Sequence, residues 1–311
     1  MLALDFINVG NGDAALVREY RDGRTVFSLL IDCGHDLLTH PDERSKRIYA
    51  GDFLAKEGIK ELDLLILTHF HRDHIGGLLN VLDRVHVKEI MASYFPPEGT
   101  ECALPDPEKS GLPKPGKTIL ICLGLLRTAL EAHKDDGIRK TLLSGDRNIL
   151  LKPTEDLSVR IMFGEPALYR EQKKIYDRIY AGNTDRYEML HWGKCMNISS
   201  LRIRLSYHGQ DIVFGGDAYA VTWDMDMLSP CKILKVPHHA SLSSTNRSFL
   251  NALRPETAVV SVASDRPDER PHPAIVSLLK EYAKNVYFTD AVNLPGLAEP
   301  AYHESVHLET E

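Results

Sequence analysis

The sequence contains few cysteines, and none of them belongs to a Cys-x-x-Cys pair. The five cysteines are scattered along the chain: Cys33, Cys102, Cys122, Cys195 and Cys231. This usage argues against a disulfide framework and against a cysteine-based zinc site, and it is typical of proteins from a reducing compartment. We therefore expect a cytoplasmic protein.

The chain also lacks long apolar runs and an excess of basic residues. No segment approaches the roughly 20 consecutive apolar residues of a membrane-spanning helix, and the N-terminus has no basic region of the signal-peptide kind. We therefore expect no association with membranes. With 37 Lys and Arg against 44 Asp and Glu, the formal net charge of the 311 residues is -7. This charge excludes a broad basic surface, although a local groove or a bound metal ion can still attract nucleic acid.

The hydrophobic pattern predicts many short strands with helices between some of them. The run LDLLILT is continuously apolar except for one aspartate, as expected of a strand that is buried on both faces. Similar β-rich runs, such as TVFSLLID, IVFGGD and TAVVSVAS, recur in both halves of the chain. The pattern predicts an α/β fold in which two sheets pack face to face with helices outside, a four-layer αββα sandwich.

No linker divides the chain, so we expect residues 1–311 to form a single domain. Insertions into this domain are expected near 96–135 and 165–195. The first starts with a proline- and glycine-rich loop and continues with a helical pattern over 117–135, and the second is charged, rich in tyrosine and predicted to be helical. The acidic end of the chain, from 297 onward, is predicted to be a solvated tail.

The most informative stretch is THFHRDHIGG, which follows the buried strand. Alternate residues of extended backbone point the same way, so His69 and His71 can share one metal ion. Asp73 and His74 come at the turn into the next helix and can reach the same place from another side. Imidazole and carboxylate together suit zinc, manganese or iron, and this spacing supplies enough ligands for two adjacent ions. Other histidines, including His35, have no such context and are predicted to be surface or loop residues.

These residues resemble the signature of the metallo-β-lactamase fold, and the likeness is closest to the hydrolase domain of the ComEC DNA-uptake proteins. The matching stretches follow one another along most of the chain: FINVGNGDAALV, LIDCG, THFHRDHIGGL, NISSLRIRL, IVFGGDA, LKVPHHASLSS, VVSVAS and HP at 272–273. The membrane channel that accompanies the ComEC hydrolase has no counterpart in these residues. The resemblance therefore implies a free-standing relative with the four-layer fold.

The resemblance also implies a ligand set for two metal ions. His69 and His71 would bind the first ion, whereas Asp73 and His74 would bind the second. Asp217, at the end of IVFGGD, would bridge both ions and hold them roughly 3.5–4 Å apart. Asp32 would accept hydrogen bonds that orient the metal-binding loop.

The last metal ligand is open between His238, His239 and His272; we expect His272 to be the ligand, with His238 as the acid or the alternative ligand. In RNase Z-like relatives a histidine that opens a helix binds metal, which fits His272, and a strand-end histidine acts on the scissile phosphate, which fits His238 or His239. Adjacent residues of an extended strand end point apart, so we expect only one of the pair to reach the ions. Asp73, His238 and His239 are the candidate catalytic residues. Asn197 stands where the fold usually has another metal-binding histidine, which weakens the first site.

We therefore expect a metal-dependent hydrolase, and first of all a dinuclear phosphodiesterase or nuclease that acts on DNA, RNA or a nucleotide through a metal-bound hydroxide. The expected cofactors are two divalent ions, zinc before manganese or iron. Arg202, Arg204, Lys235 and Arg247 are possible phosphate contacts. The alternatives are hydrolysis of a carboxylic ester, a thioester or a β-lactam, and a non-catalytic binding module that a metal ion stabilises. The sequence gives no information about protein partners.

Overall fold

The computed structural model describes residues 1–97, 104–265, 271–292, 294 and 302–311. Within these residues, two seven-stranded sheets pack face to face, and helices cover the outer surface of each sheet. The predicted four-layer αββα sandwich is confirmed. No helix of the described residues has both the length and the apolar character that crossing a membrane requires.

The strands of the described residues are β1 (Leu2–Ile7), β2 (Ala15–Arg21), β3 (Arg24–Ile31), β4 (Glu61–Leu62), β5 (Leu64–Ile66), β6 (His86–Val87), β7 (Glu89–Ala92), β8 (Arg139–Leu142), β9 (Ile149–Leu151), β10 (Leu157–Met162), β11 (Arg202–Tyr207), β12 (Gln210–Phe214), β13 (Ile233–Lys235), β14 (Thr257–Val260), β15 (Asn285–Phe288) and β16 (Ser305–Thr310). The α-helices are α1 (Ala50–Lys56), α2 (Arg72–Ile75), α3 (Leu78–Arg84), α4 (Lys114–Ala132), α5 (Pro166–Tyr180), α6 (Arg186–Cys195), α7 (Arg247–Leu253) and α8 (Pro273–Tyr282). The first sheet has the order β16-β1-β2-β3-β5-β7-β8, and the second has the order β15-β14-β13-β12-β11-β10-β9.

The core between the sheets is built by alternation along the strands. In β5, Leu64 and Ile66 point toward the second sheet, whereas Leu65 points toward the outer helices. Both faces of this strand are therefore buried, which explains its continuous apolar sequence. Phe6 of β1 stacks on Phe214 of β12 across the interface, with ring centroids 5.9 Å apart. Each such buried side chain contributes about 2 kcal/mol of hydrophobic stabilisation.

The helices of the two predicted insertions belong to the layer that covers the first sheet. The helical pattern over 117–135 corresponds to α4, and the charged segment 165–195 forms α5 and α6. Tyr176 of α5 and Trp192 of α6 are almost completely buried in this layer and contact each other edge to face. Residues 98–103 of the predicted surface loop lie outside the described residues.

The predicted solvated tail is wrong for residues 305–310, which form a strand, and residues 297–301 lie outside the described residues. Strand β16 pairs antiparallel with the whole length of β1, from Leu2 opposite Thr310 to Ile7 opposite Ser305. Val306 and Leu308 pack on the core, and they alternate with the polar residues Ser305, His307 and Glu309. This is the alternation of an edge strand, but it has only two apolar positions and is flanked by Glu304 and Glu311, which favours the interpretation as a tail.

The site is positioned by strand ends. Parallel neighbours β3 and β5 in the first sheet, and β12 and β13 in the second, each run into a loop that contains a candidate ligand or its support. Because these strands end at one edge of the sandwich, the four loops converge there, as ion-pair distances between their side chains show.

Candidate metal centre

His69 and His71 bring two ring nitrogens to one point after β5. Nε2 of His69 lies 3.0 Å from Nδ1 of His71 and 3.8 Å from Oδ2 of Asp217. His69 is fully buried, and burial holds the pKa of its imidazole well below the usual range. A neutral imidazole is the form that binds metal. These three residues form a group whose donor atoms lie within 4.8 Å of one another, which suits one ion.

A second group of donors lies beside the first and shares Asp217 with it. It contains Asp73, His74, Asp217 and His239, whose donor atoms also lie within 4.8 Å of one another. Nε2 of His74 lies 3.3 Å from Oδ1 of Asp217, and Nε2 of His239 lies 3.4 Å from Oδ2 of Asp73. The shared carboxylate is the geometry that a bridging ligand of two ions needs.

Several donor atoms of the second group have no other use. Among the described residues, Nε2 of His74, Nε2 of His239 and Oδ1 of Asp217 are buried and have no hydrogen-bond partner. Leaving three polar atoms in this state costs on the order of 1–3 kcal/mol each. Two imidazole nitrogens and a carboxylate oxygen are also a suitable donor set for zinc or manganese. The residues therefore fit a divalent ion.

Asp32 holds the metal-binding loop in place from behind. Its Oδ1 accepts a hydrogen bond from the backbone N–H of Thr68, and its Oδ2 accepts one from the Thr68 hydroxyl, both at 2.7 Å. Oδ2 also lies 2.8 Å from Nδ1 of His74. This arrangement directs Nε2 of His74 toward Asp217, which is the orienting role that the resemblance implies for Asp32.

The electrostatics of the buried site favour a cation. Burial disfavours the charge on His74, but the carboxylates of Asp217 and Asp32 outweigh burial and hold the pKa of His74 well above its usual range. Burial likewise opposes ionisation of Asp217, yet His74 holds the pKa of that carboxyl well below its usual range. The excess negative charge thus retains a positive charge at this position, and a divalent ion can replace the proton on His74.

The His238–His239 pair does not continue the extended strand, which corrects the expectation that only one of the two rings reaches the site. Both residues have left-handed backbone, with φ of 49° and 52°. In this turn, Nε2 of His238 lies 3.6 Å from Oδ2 of Asp217, and Nε2 of His239 lies 3.8 Å from Oδ1 of the same residue. The two rings therefore approach Asp217 from the sides of different candidate ions. Nε2 of His238 also lies 3.1 Å from Nδ2 of the buried Asn197.

His272 is not a member of these donor groups, which were sought among the described residues. It is the N-cap residue of α8, and its Nδ1 accepts a hydrogen bond from the backbone N–H of Ala274 at 3.2 Å. The sequence prefers His272 as the last ligand because it opens a helix, but the geometry favours His239. The expected ligand and the ligand that the geometry favours differ because of the left-handed turn at 238–239, for which the sequence contains no signal.

The metal-binding loop is also supported by the N-terminal segment NVGNGD. The backbone N–H of Asp13 donates to the carbonyl oxygen of Asp73 at 3.0 Å. A Cβ atom on Gly12 would lie 2.2 Å from that same oxygen, so only glycine allows this approach. Residues far apart in sequence therefore pack backbone to backbone next to the ligands.

The candidate ions would lie at the base of a cleft of about 350 Å³. Its lining consists of Asn11, His35, His71, Arg72, Asp73, Lys114, Thr118, Asn197, Asp217 and His238. Lys114 and Thr118 come from the first two turns of α4, which packs on the helix α2 that carries Asp73. Within the described part of the chain, the Lys114 ammonium makes no hydrogen bond or ion pair, whereas Arg72 forms two hydrogen bonds with Asp36.

The basic residues that the sequence offers as phosphate contacts are occupied elsewhere. Arg202 is buried and donates to Ser200 and Thr222, and Arg204 forms an ion pair with Asp211. The other two form ion pairs of their own, Lys235 with Asp13 at 2.7 Å and Arg247 with Glu281 at 2.7 Å. None of these four lines the cleft.

Sequence reasoning misses several residues of the cleft. His35 is a loop residue, as predicted, but it also lines the cleft, and so do Asn11, Lys114 and Thr118. The asparagine lies in a segment that the family resemblance already marks. No signal in the sequence marks Lys114, because it belongs to an insertion whose position over the site depends on tertiary packing.

Comparisons with known proteins agree with this fold. A family model described as the metallo-beta-lactamase superfamily matches residues 7–264. ComE operon protein 3 of Bacillus subtilis (strain 168) is 26% identical over 305 residues, which cover 92% of this chain and 32% of that protein. The chain thus spans about a third of the length of this relative.

Two solved structures share the fold. The metallo-beta-lactamase fold protein YhfI from Bacillus subtilis superposes with a TM-score of 0.50 and 11% identity, covering 99% of this chain and 100% of that chain. Zinc-bound PqqB from Methylobacterium extorquens superposes with a TM-score of 0.50 and 10% identity, covering 100% of both chains. At these identities the likeness concerns the fold alone.

Proposed function

Because the chain belongs to the metallo-β-lactamase superfamily, we propose that it is a metal-dependent hydrolase, and specifically a two-metal phosphodiesterase or nuclease that acts on DNA, RNA or a nucleotide. The observation that carries the proposal is the convergence of His69, His71, Asp73 and His74 with the distant Asp217 at the base of an open cleft. A purely structural metal site would be closed to solvent and would need no cleft.

The chemistry of the centre depends on two divalent ions, which lower the pKa of water and neutralise charge on phosphoryl oxygens when they are bound. Each ion would have its own imidazole ligands, and Asp217 would bridge the two. Zinc is the first candidate, since the donor set suits it and PqqB, which shares the fold, is zinc-bound. Manganese and iron suit the same donors.

His238 and His239 have different roles in this proposal. His239 does not line the cleft and turns Nε2 toward Asp73 and Asp217, so it acts as the last ligand of the second ion. His238 lines the cleft, and its Nδ1 lies 2.9 Å from Oγ of Ser241. It is therefore placed to hold or donate a proton at the leaving oxygen of a substrate.

The charge of the cleft favours an anionic substrate. Its carboxylates, Asp73 and Asp217, face the candidate ions, whereas Lys114 offers an ammonium that no described residue pairs. The protein as a whole carries a net charge of -7. The positive charge of Lys114 therefore counteracts the negative electrostatic field of the rest of the protein at the cleft. A phosphodiester gains from such a cation, while a neutral ester or a thioester does not.

Hydrolysis assays with matched substrates test the proposal. Protein loaded with zinc or manganese is incubated with bis-p-nitrophenyl phosphate, single-stranded DNA and RNA, and in parallel with a thioester and nitrocefin. We expect phosphodiester hydrolysis that depends on the metal and disappears in Asp217→Ala. Turnover of the thioester or nitrocefin alone would replace the phosphodiesterase assignment. Full metal binding without any turnover would favour a metal-stabilised binding module.

A further inference from the structure

The carboxylate of Asp13 lies at the centre of a buried set of contacts behind the second candidate ion. Its Oδ2 accepts a hydrogen bond from Nζ of Lys235 at 2.7 Å, and the side chains of both residues are less than 10% exposed. Its Oδ1 lies 3.5 Å from Nδ1 of His239 and has no hydrogen-bond partner among the described residues. Asp13 is the aspartate of the N-terminal motif NVGNGD, for which the proposed mechanism has no role.

We propose that Asp13, itself held by Lys235, is a positioning residue that fixes the ring and the tautomer of His239 for binding the second metal ion. This inference rests on the two-ion centre of the proposed function. It assigns roles to the aspartate of the N-terminal motif and to the lysine of LKVPHH, and neither Asp13 nor Lys235 lines the cleft.

The contacts of the His239 ring support this role. Nδ1 lies 3.1 Å from the carbonyl oxygen of Ser261 and faces Oδ1 of Asp13, so both neighbours on this side are acceptors. Two acceptors keep the ring proton on Nδ1, which leaves the lone pair of Nε2 directed toward Asp73 and Asp217. A carboxylate behind a histidine ligand typically orients the ring and raises its basicity.

The backbone of Asp13 extends the same support to a second ligand of the ion. Its N–H donates to the carbonyl oxygen of Asp73, and its own carbonyl accepts from the N–H of Gly34. One residue thus joins the loop of Asp73 to the turn of His239. Because Asp73 and His239 come from different sheets, this link sets the distance between two donors of one ion.

The stability gained from the Asp13–Lys235 ion pair does not by itself explain why the two residues are buried next to His239. A buried lysine–aspartate pair contributes little net stability, since desolvation of both charges offsets their attraction, and an apolar pair of similar size stabilises as well. A purely structural role therefore predicts that Asp13→Asn combined with Lys235→Met leaves metal binding unchanged. The positioning role predicts weaker binding at one of the two sites.

Calorimetric titration with zinc and with manganese separates these outcomes. We expect the wild-type chain to bind two ions and the double variant Asp13→Asn/Lys235→Met to bind one of them about 10–100-fold more weakly, while its midpoint in urea stays near that of the wild type. The matched control is Asp5→Asn/Arg18→Met, which removes another buried ion pair of the first sheet, joined at 2.7 Å. It should keep the affinity for both ions.

A thermodynamic cycle with His239→Ala gives a second measurement that does not depend on the fold of the double variant. If Asp13 acts through His239, Asp13→Asn weakens binding in the wild-type background but adds little in the His239→Ala background. Equal losses in both backgrounds would overturn the inference, as would unchanged affinity in a folded double variant. A wild-type chain that binds fewer than two ions would instead overturn the two-ion centre of the proposed function.

Discussion

Nε2 of His74 lies 3.3 Å from Oδ1 of Asp217, and both atoms are buried without a hydrogen-bond partner among the described residues. His74 follows a strand of the first sheet, whereas Asp217 follows a strand of the second. The contact therefore exists only because the two sheets pack with their strand ends at one edge. A divalent ion between such donors would satisfy both atoms at once.

The proposed bridging position of Asp217 predicts that its replacement affects both ions. We expect Asp217→Asn to lower the metal content from two ions to one or none and to reduce phosphodiester turnover more than about 100-fold. Replacing a residue that only supports a metal ligand already lowers metal affinity or activity about 10–100-fold, and replacing a ligand should have a larger effect. Metal analysis after dialysis and initial rates measure the two effects. Asp226→Asn, at an exposed position of the short 3-10 helix Met225–Met227, is the control and should retain both ions. Full metal content in Asp217→Asn would show that this carboxylate is not a ligand.

The cleft lysine predicts a change in substrate affinity. We expect Lys114→Ala to raise the KM for a phosphodiester about 10–100-fold with little change in kcat, since a hydrogen bond to a charged group contributes about 1.5–3 kcal/mol and the residue lies outside the ion-binding groups. Lys117→Ala is the matched control on the same helix, because Lys117 pairs with Glu108 at 2.8 Å and does not line the cleft. An unchanged KM for the Lys114 variant would mean that the substrate enters by another route.

His239 and His272 are the two candidates for the last metal ligand, and substitution of each residue distinguishes between them. We expect His239→Ala to weaken binding of one ion strongly and His272→Ala to leave both affinities within about twofold. His272 caps α8, so its replacement should cost about 1 kcal/mol of stability instead. Isothermal titration and urea unfolding of both variants provide the comparison. Loss of an ion in His272→Ala would restore the ligand that the helix-opening position suggests.

A buried ion pair beside the site predicts a pH-dependent contribution to stability. Nε and Nη2 of Arg47 donate to Oδ2 of Asp290 at 2.9 and 2.8 Å, and both side chains are almost fully buried. Breaking this pair in Asp290→Asn leaves a buried guanidinium with fewer acceptors, so we expect a loss of about 3 kcal/mol at pH 7. Asp42→Asn, which affects an exposed pair with Arg44, should leave the free energy of unfolding nearly unchanged, because solvent screens the pair.

The sign of the pH effect follows from the pKa of Asp290. Burial opposes ionisation of this carboxyl, but the backbone N–H groups of Ser264 and Ala291 and the Arg47 guanidinium outweigh burial and lower its pKa. A carboxyl with a lowered pKa stabilises the fold above its unfolded value, near pH 4, and loses this contribution as the pH falls through the folded value. The difference between wild type and Asp290→Asn in urea unfolding should therefore shrink below about pH 4. A constant difference down to pH 2 would exclude the ion pair as its cause.

Local patterns in the sequence account for the fold and for most of the candidate centre. The apolar run of β5 predicts a strand buried on both faces, and the hexad that follows places His69, His71, Asp73 and His74 within one loop and one helical turn. Their mutual arrangement depends on neighbouring residues only, so spacing is sufficient to predict it. The strand β16 is missed because only two apolar residues, Val306 and Leu308, mark the alternation of the segment that pairs with β1.

By itself, then, the sequence determined the sandwich and the local arrangement of the hexad, because periodicity and short motifs record local geometry, whereas the role of Asp217 was implied by the family resemblance alone. Only the tertiary structure decided that His239 faces the centre while His272 caps a helix, that Lys235 is tied to Asp13, and that Lys114 borders the cleft. These outcomes depend on a left-handed turn and on packing between distant segments. Neither feature produces a periodic pattern in the sequence, so these contacts can be recognised only in the structure, where the two sheets pack together.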